Sequence, residues 1–179
     1  MAENEPTTRN LAELYELAPL DWDDVRRTLE ANLTQAPASG GPDHHTFWLS
    51  TIDPDGRPHM TAVGAFWVDG RYYFTGGAGT RKIRNIERDP RCAFGVALHG
   101  YDVALEGRAV RVTDEAQLER LAQVFAQGGW APTVAGGGFT HEFSAPSAGP
   151  PPWFVYQFTT DDVYAVMTKQ PGGATRWTF

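Results

Sequence analysis

One cysteine, Cys92, stands in the 179 residues of this chain. A single thiol excludes an internal disulfide framework. Its place in an apolar stretch between Arg91 and Ala93 favours a buried, inert thiol over a nucleophile. No apolar run approaches the roughly 20 residues that span a bilayer. The start, Met-Ala-Glu-Asn-Glu, is acidic and has no targeting character, so a soluble, cytoplasmic protein with no membrane partner is expected. The Gly-x-Ser-x-Gly elbow of serine hydrolases does not occur, nor do internal repeats or low-complexity tracts. Positive charge is also short: the formal net charge is −7. An acidic chain is a poor match for a phosphate backbone, and nucleic acid is not expected as a partner.

Metal ligands are equally scarce. His44 and His45 are adjacent, and neighbours on an extended segment point opposite ways. No cysteine, glutamate or histidine stands at a matching offset, and His141-Glu142 shares that weakness, so no metal site is expected.

What the chain does have is apolar and aromatic content, 41% and 12%, enough to bury a core and to argue against general disorder. The length fits one domain. Residues 1–6 read as a frayed tail. Leu11, Leu14, Tyr15 and Leu17 have helical spacing, stopped by Pro19. A second helix is expected from Asp21, with Asp21 and Asp24 as a capping pair and Trp22, Val25, Leu29 and Leu33 as its apolar stripe. Gln35 to Asp43 reads as a linker. Residues 1–45 are thus expected to pack as helices and linker on a β-domain spanning 46–179.

In that β-domain, Thr46–Ile52 is the first strand, and Asp53-Pro54-Asp55-Gly56 is a turn. His59–Val68 is the second strand, Asp69-Gly70 a hairpin turn and Arg71–Thr75 the third strand. A short helix follows from about Thr80 to Arg88 and ends at Asp89-Pro90. Strands Arg91–His99 and Asp102–Val112 meet near Gly100. A third helix, capped by Thr113 or Asp114, buries Leu118, Leu121, Val124 and Phe125. Gly128–Pro152 is a long Gly-, Ala-, Ser- and Pro-rich loop of the kind that is functional or mobile. Two closing strands, Trp153–Phe158 and Val163–Thr168, precede the turn Pro171-Gly172-Gly173 and the alternating end Ala174–Phe179. About seven short strands with few helices predict a closed or half-closed antiparallel barrel.

The strongest chemical signal is Gly76 to Lys82. Glycines admit close backbone approach, and a helix N-terminus carries positive field. Thr80 offers a hydroxyl, Arg81 a fork for two oxygens and Lys82 a point charge. Together they suit an anion such as a phosphate; the alternative is a hairpin tip with solvated cations. Strand His59-Met60-Thr61-Ala62-Val63 could carry a flat ring on its backbone, although an ordinary core strand is the simpler reading. Arg176 and Trp177 could cover a ring and a phosphate, or could be edge-strand packing with a solvated guanidinium.

Taken together, Asp53 to His59, Thr75 with Gly79 to Asn85, Arg88 to Arg91, Glu106 to Ala109 and Pro171 to Trp177 resemble the pyridoxamine 5′-phosphate oxidase-like split β-barrel superfamily. The resemblance runs from about Leu11 to Phe179 and is nearest the F420-binding flavin/deazaflavin-dependent oxidoreductases of actinobacteria. It implies a mainly β fold, a homodimer, two cofactors at the subunit interface and hydride transfer to a small organic substrate. The cofactor implied is F420, with FMN as the alternative; a non-enzymatic carrier of flavin, deazaflavin or haem is the other reading. By position, His59, Met60, Thr61, Ala62 and Val63 would line the ring and ribityl chain. Thr75, Gly79, Thr80, Arg81 and Lys82 would hold the phosphate, and a second subunit would contribute near Asp102 and from Arg176 and Trp177. The N-terminal helices and the 128–152 loop would cap the ring and select the substrate. The chain departs from the true oxidases at His59, where they carry Arg, and at Val166, where they place a Trp. Its loop before Thr80 is one residue longer. These departures point away from pyridoxamine-phosphate oxidation as its reaction.

Overall fold

The computed structural model describes residues 5–31 and 45–179. Eleven strands form one antiparallel sheet system with three α-helices around it. The strands are β1 (Thr7–Asn10), β2 (Phe47–Ile52), β3 (Pro58–Val63), β4 (Ala65–Val68), β5 (Arg71–Gly77), β6 (Arg91–Leu98), β7 (Tyr101–Arg111), β8 (Thr133–Ala135), β9 (Gly138–Thr140), β10 (Trp153–Met167) and β11 (Ala174–Thr178). The helices are α1 (Trp22–Glu30), α2 (Arg81–Arg88) and α3 (Glu115–Gln127). Among the described residues no helix is long and apolar enough to cross a membrane.

The main path runs β1-β11-β10-β7-β6-β2-β3, while β5 pairs with β10 and β4. The barrel therefore closes through the chain itself. β3 pairs with β2, β4 pairs with β5, and Gly64 is the joint between them. The single strand read over His59–Val68 is thus two strands with different partners, because a residue without Cβ lets the chain leave one ladder for another. That joint leaves β3 with an open edge.

β10 is the spine of the fold. The stretch read as two closing strands is one strand of 15 residues. Its first part pairs with β5 and its last part with β11, with β7 alongside both. A register shift falls between Thr160 and Asp162, opposite Gly107. A Cβ at Gly107 would stand 2.1 Å from the Thr159 carbonyl oxygen, so only glycine admits the bulge.

Alternation fixes the faces. Phe47, Leu49, Phe94, Val103, Leu105, Val163 and Trp177 turn inward to the barrel core. A second core, of Phe66, Tyr73, Leu118, Leu121, Phe125, Trp130, Phe139 and Trp153, lies where α3 and the β8–β9 hairpin cover β4, β5 and β10. Asp114 caps α3 by accepting from the Gln117 N–H at 2.7 Å, as Asp21 caps α1 from Asp24 N–H at 3.1 Å. The 128–152 segment, expected as plain loop, contains β8 and β9.

The N-terminal reading needs correction. Residues 7–10, which follow the expected tail and have no expected element, pair with β11 as β1. The helix read through Leu11–Leu17 is a single 3₁₀ turn, Glu13–Tyr15. Asn10 explains the change: its side chain accepts from Ala12 N–H at 3.0 Å and donates to the Leu17 carbonyl at 2.8 Å, a local network that competes with helix. Leu14 and Tyr15 are left exposed rather than on a buried stripe. The linker Gln35–Asp43 and Leu33 lie outside the described residues.

Candidate functional site

The seam at Gly64 holds a cavity of about 230 Å³. On one side are Ala62, Val63, Thr75 and Lys82; on the other, Phe66, Phe125 and Trp130; the segment 144–148 roofs it. That roof is held by a Gly77 N–H bond to the Ala148 carbonyl at 3.1 Å. A Cβ at Gly77 would stand 2.4 Å from the same oxygen, so the roof sits this close because residue 77 is glycine.

Lys82 is the electrostatic centre of the cavity. It sits in the first turn of α2 on the buried face with Ile83, Asn85 and Ile86. Its residue is 6% exposed, and its stem passes Gly76, where a Cβ would meet Cε at 3.2 Å. No ion pair or hydrogen bond to its ammonium occurs among the described residues. Burial lowers its pKa from the ordinary lysine value, as desolvation of an unpaired cation must. An unpaired buried ammonium beside the N–H groups of a helix start is complementary to an anion.

Arg81 and Thr80 are committed elsewhere. The Arg81 guanidinium closes on Asp53 through two bonds, Nε to Oδ1 at 2.9 Å and Nη2 to Oδ2. Asp53 is 4% exposed and also accepts from the Asn85 amide at 3.0 Å. The Arg81 and Asn85 bonds hold its carboxyl down at about 2. The Thr80 hydroxyl donates to the Gly77 carbonyl at 2.8 Å, and Arg84 donates to the Gly79 carbonyl at 2.5 Å. These bonds stitch the Gly-rich turn and the start of α2 to the β2–β3 turn. The residues expected to grip an anion thus divide: Lys82 and Thr75 face the cavity, while Arg81, Thr80 and Gly79 build the ledge that carries them.

The β3 residues do not divide by alternation alone, since the neighbours Ala62 and Val63 both line the cavity at the end of the strand. Ala62 and Val63 reach the cavity, Met60 is 63% exposed on the outward sheet face, and His59 and Thr61 are half-buried. Asp102 is exposed on the same outward face as Met60, opposite Ala97 and Val166. Arg176 donates to Asp162 at 2.8 Å and lies over Tyr164, its centre 5.4 Å from the ring. Trp177 is 1% exposed and turned into the barrel, 5.4 Å from the Trp22 ring. The structure does not bring Trp177 to the cavity or to the outward face.

Five residues of the site were not singled out from the sequence. Asp53 looked like a turn residue, Phe66 and Trp130 carried no pattern, and Ser144 and Ser147 were lost in a small-residue loop. The one usable signal is Asp53 in a stretch shared with the resembled family.

Residues 33–167 match the family model described as pyridoxamine 5′-phosphate oxidase. The chain belongs to this family. Its members bind flavin-type cofactors, and the buried, unpaired Lys82 at a helix start fits the phosphate of such a group. Solved structures share the fold at low identity. A NimC/NimA family protein from Clostridium acetobutylicum aligns at TM-score 0.56 and 14% identity, over 90% of this chain and 99% of that one. PhzG from Burkholderia lata, solved with tetrahydrophenazine-1-carboxylic acid, aligns at TM-score 0.54 and 16% identity, over 87% and 80%. A putative pyridoxamine 5′-phosphate oxidase from Listeria innocua aligns at 0.53 and 15%, over 79% and 94%. No curated protein sequence matches.

Proposed function

We propose that this member of the pyridoxamine 5′-phosphate oxidase family is an oxidoreductase that uses F420 to transfer hydride to a small organic molecule, with FMN as the alternative cofactor. The observation that carries the reading is Lys82: a buried side chain at the start of α2 whose ammonium has no partner among the described residues and faces a seam cavity. The preference for F420 rests on the sequence resemblance. When bound, such a cofactor supplies the hydride chemistry.

The chain's own residues bind, orient and exclude water. Lys82 offers charge to the phosphate, with the first N–H groups of α2 beside it. The Arg81–Asp53–Asn85 network fixes the ledge, so that Lys82 need not be ordered at the moment of binding. The 144–148 roof and the aromatic wall narrow the access of solvent to the cavity, which strengthens charge interactions inside it. Among the described residues Lys82 is the one titratable side chain lining the cavity; a proton needed by the product comes from bulk water or from a loop residue.

The proposed working unit is a homodimer. Trp48, Met60 and Val166 are 49%, 63% and 50% exposed. The ladder registers place them on one outward face with Ala62, Ala97 and Ala104. Asp102 stands between Ala97 and Val166 on that face; the exposed apolar side chains around it are what an interface would cover, and Ala62 joins the face to the cavity.

The test is a fluorescence titration of the purified protein with oxidised F420 and, separately, FMN. Tight binding of F420, lost in Lys82→Ala with the fold intact, supports the reading. Tight FMN binding with weak F420 binding moves the protein to the alternative cofactor. Failure to bind either overturns both.

A further inference from the structure

We infer that the β4–β5 hairpin walls a second ligand site, suited to a planar aromatic carboxylate; this stands independently of the cofactor reading. The site is a cavity of about 580 Å³ between α1, that hairpin, the bulge of β10 and Phe179. Its size falls inside the roughly 300–1,000 Å³ of small-molecule sites. Among the described residues it shares no lining side chain with the seam cavity. Strand β4 serves both: Phe66 faces the seam and Trp67 faces the second cavity, as neighbours on a strand point opposite ways.

The walls are aromatic and set in place. Trp22 of α1 meets Phe179 edge-on at 5.1 Å and packs on the buried Trp177 at 5.4 Å. The Phe179 N–H bonds the Asp161 carbonyl at 3.0 Å, beside the bulge. Trp67 supplies a third ring from β4. Preformed aromatic faces take a flat ring at little cost in ordering.

Charge is arranged by depth. Arg71 is half-buried on the lining, held there by the two-residue turn Asp69-Gly70, across which it pairs with Val68. The acids on the same lining lie further out. The side chains of Asp23 and Asp69 are 63% and 69% exposed and pair with Arg26 at 3.1 Å and Arg120 at 2.5 Å; Glu5 is exposed. Arg26 is shared between Asp23 and Glu30. Arg71 belongs to none of these pairs, and its fork matches a carboxylate. The outer acids act through water and are screened by salt. Rings on rings and a carboxylate on the inner guanidinium describe the ligand class.

The test is calorimetric titration of the 179-residue chain at pH 7 with 2-naphthoate and 2-naphthol, equal in ring system and different in charge. The expected result is saturable binding of naphthoate at least about ten-fold tighter than naphthol, the scale of one charge-assisted contact. Lys82→Gln should leave that preference unchanged, because its cation belongs to the other cavity. Arg71→Met keeps the aliphatic stem, removes the fork and should abolish the preference; Arg71→Gln should do the same and serves if the first variant does not fold. Phe179→Ala should weaken both probes alike. A preference lost in Lys82→Gln and kept in the Arg71 variants would put the carboxylate in the seam and overturn the inference. Naphthol binding as tightly as naphthoate overturns the ligand class. Failure of naphthoate to saturate, as when the chain itself fills the cavity, overturns the site.

Discussion

Arg81 and Asp53 form a forked ion pair that turns the guanidinium away from the cavity entered by its neighbour Lys82. The pair spans 28 residues of sequence and ties α2 to the β2–β3 turn, so it positions rather than binds. Asp53→Asn should therefore lower both the melting temperature and cofactor affinity, without changing which cofactor binds. Its pH dependence has a definite sign. The folded carboxyl is held near 2 against an ordinary 3.8, so its stabilisation is present above the ordinary value and lost as pH falls through about 2. The gap in melting temperature between wild type and Asp53→Asn should be full at pH 6 and shrink between about pH 4 and 2. A gap that is constant over that range would show that the pair contributes nothing through charge.

Lys82 is a compromise between folding and binding. Burial of an unpaired ammonium lowers its pKa, so the folded protein without ligand is penalised wherever the lysine is charged. Its sign is opposite to that of a paired lysine: the penalty is full at neutral pH and fades as pH rises through the lowered value. Lys82→Met keeps the aliphatic stem against Gly76 and removes the charge. It should stabilise the ligand-free protein by on the order of 1 kcal/mol, a usual size when a functional-site compromise is removed. The same variant should abolish detectable cofactor binding. Thermal melts with and without cofactor check both halves; a variant that is less stable when ligand-free contradicts the unpaired reading of this ammonium.

The 144–148 roof depends on Gly77. Gly77→Ala places a methyl 2.4 Å from the Ala148 carbonyl oxygen, a backbone atom that cannot swing aside as a side chain can. The variant should lose about 1–3 kcal/mol, the typical cost of overpacking, and the segment 144–148 should become a preferred protease site. Gly79→Ala is the control, since a Cβ there meets nothing within 4 Å. Equal behaviour of the two variants would mean that the roof is not held at Gly77.

Much of this was legible in the chain, and the misses have physical reasons. Asp-Gly and Pro-Asp-Gly turns, the Asp caps and the Gly-rich start of α2 announce themselves because backbone chemistry selects those residues locally. The partner of Arg81 could not be read, because Asp53 reaches it only through the fold of β2–β3 and β5. Strand β1 was hidden by polar residues, Thr7 to Asn10, whose pairing with β11 is a tertiary fact. The break at Gly64 lay inside an apolar run that fits one strand as well as two. Trp177 is different. It alternates with Arg176, and neighbours on a strand face opposite ways, so one of the two had to turn inward; the larger apolar ring did. The aromatic wall of the cavity came from three separate elements and carried no sequence signal at all.

The outward sheet face gives the last prediction. Trp48 stands in register with Ala62 on one side and Gly95 on the other, so its ring projects over small neighbours, and half of it is exposed. Val166 lies on the same face three strands further along, beyond β6 and β7. A cavity of about 230 Å³ is below the roughly 300–1,000 Å³ of sites that enclose drug-sized ligands, so one protomer covers only part of a flavin-type cofactor. If a second copy completes the site on this face, a charge there should break assembly and binding together. Trp48→Glu combined with Val166→Glu should change little in the stability of the protomer, because both positions are exposed. Light scattering should show the mass fall from two chains to one, and cofactor affinity should fall by at least about ten-fold, the equivalent of roughly 1.4 kcal/mol. A wild-type protein that is monomeric at micromolar concentration and still binds cofactor tightly would remove the partner from the site and leave Trp48 as an exposed ring with another role.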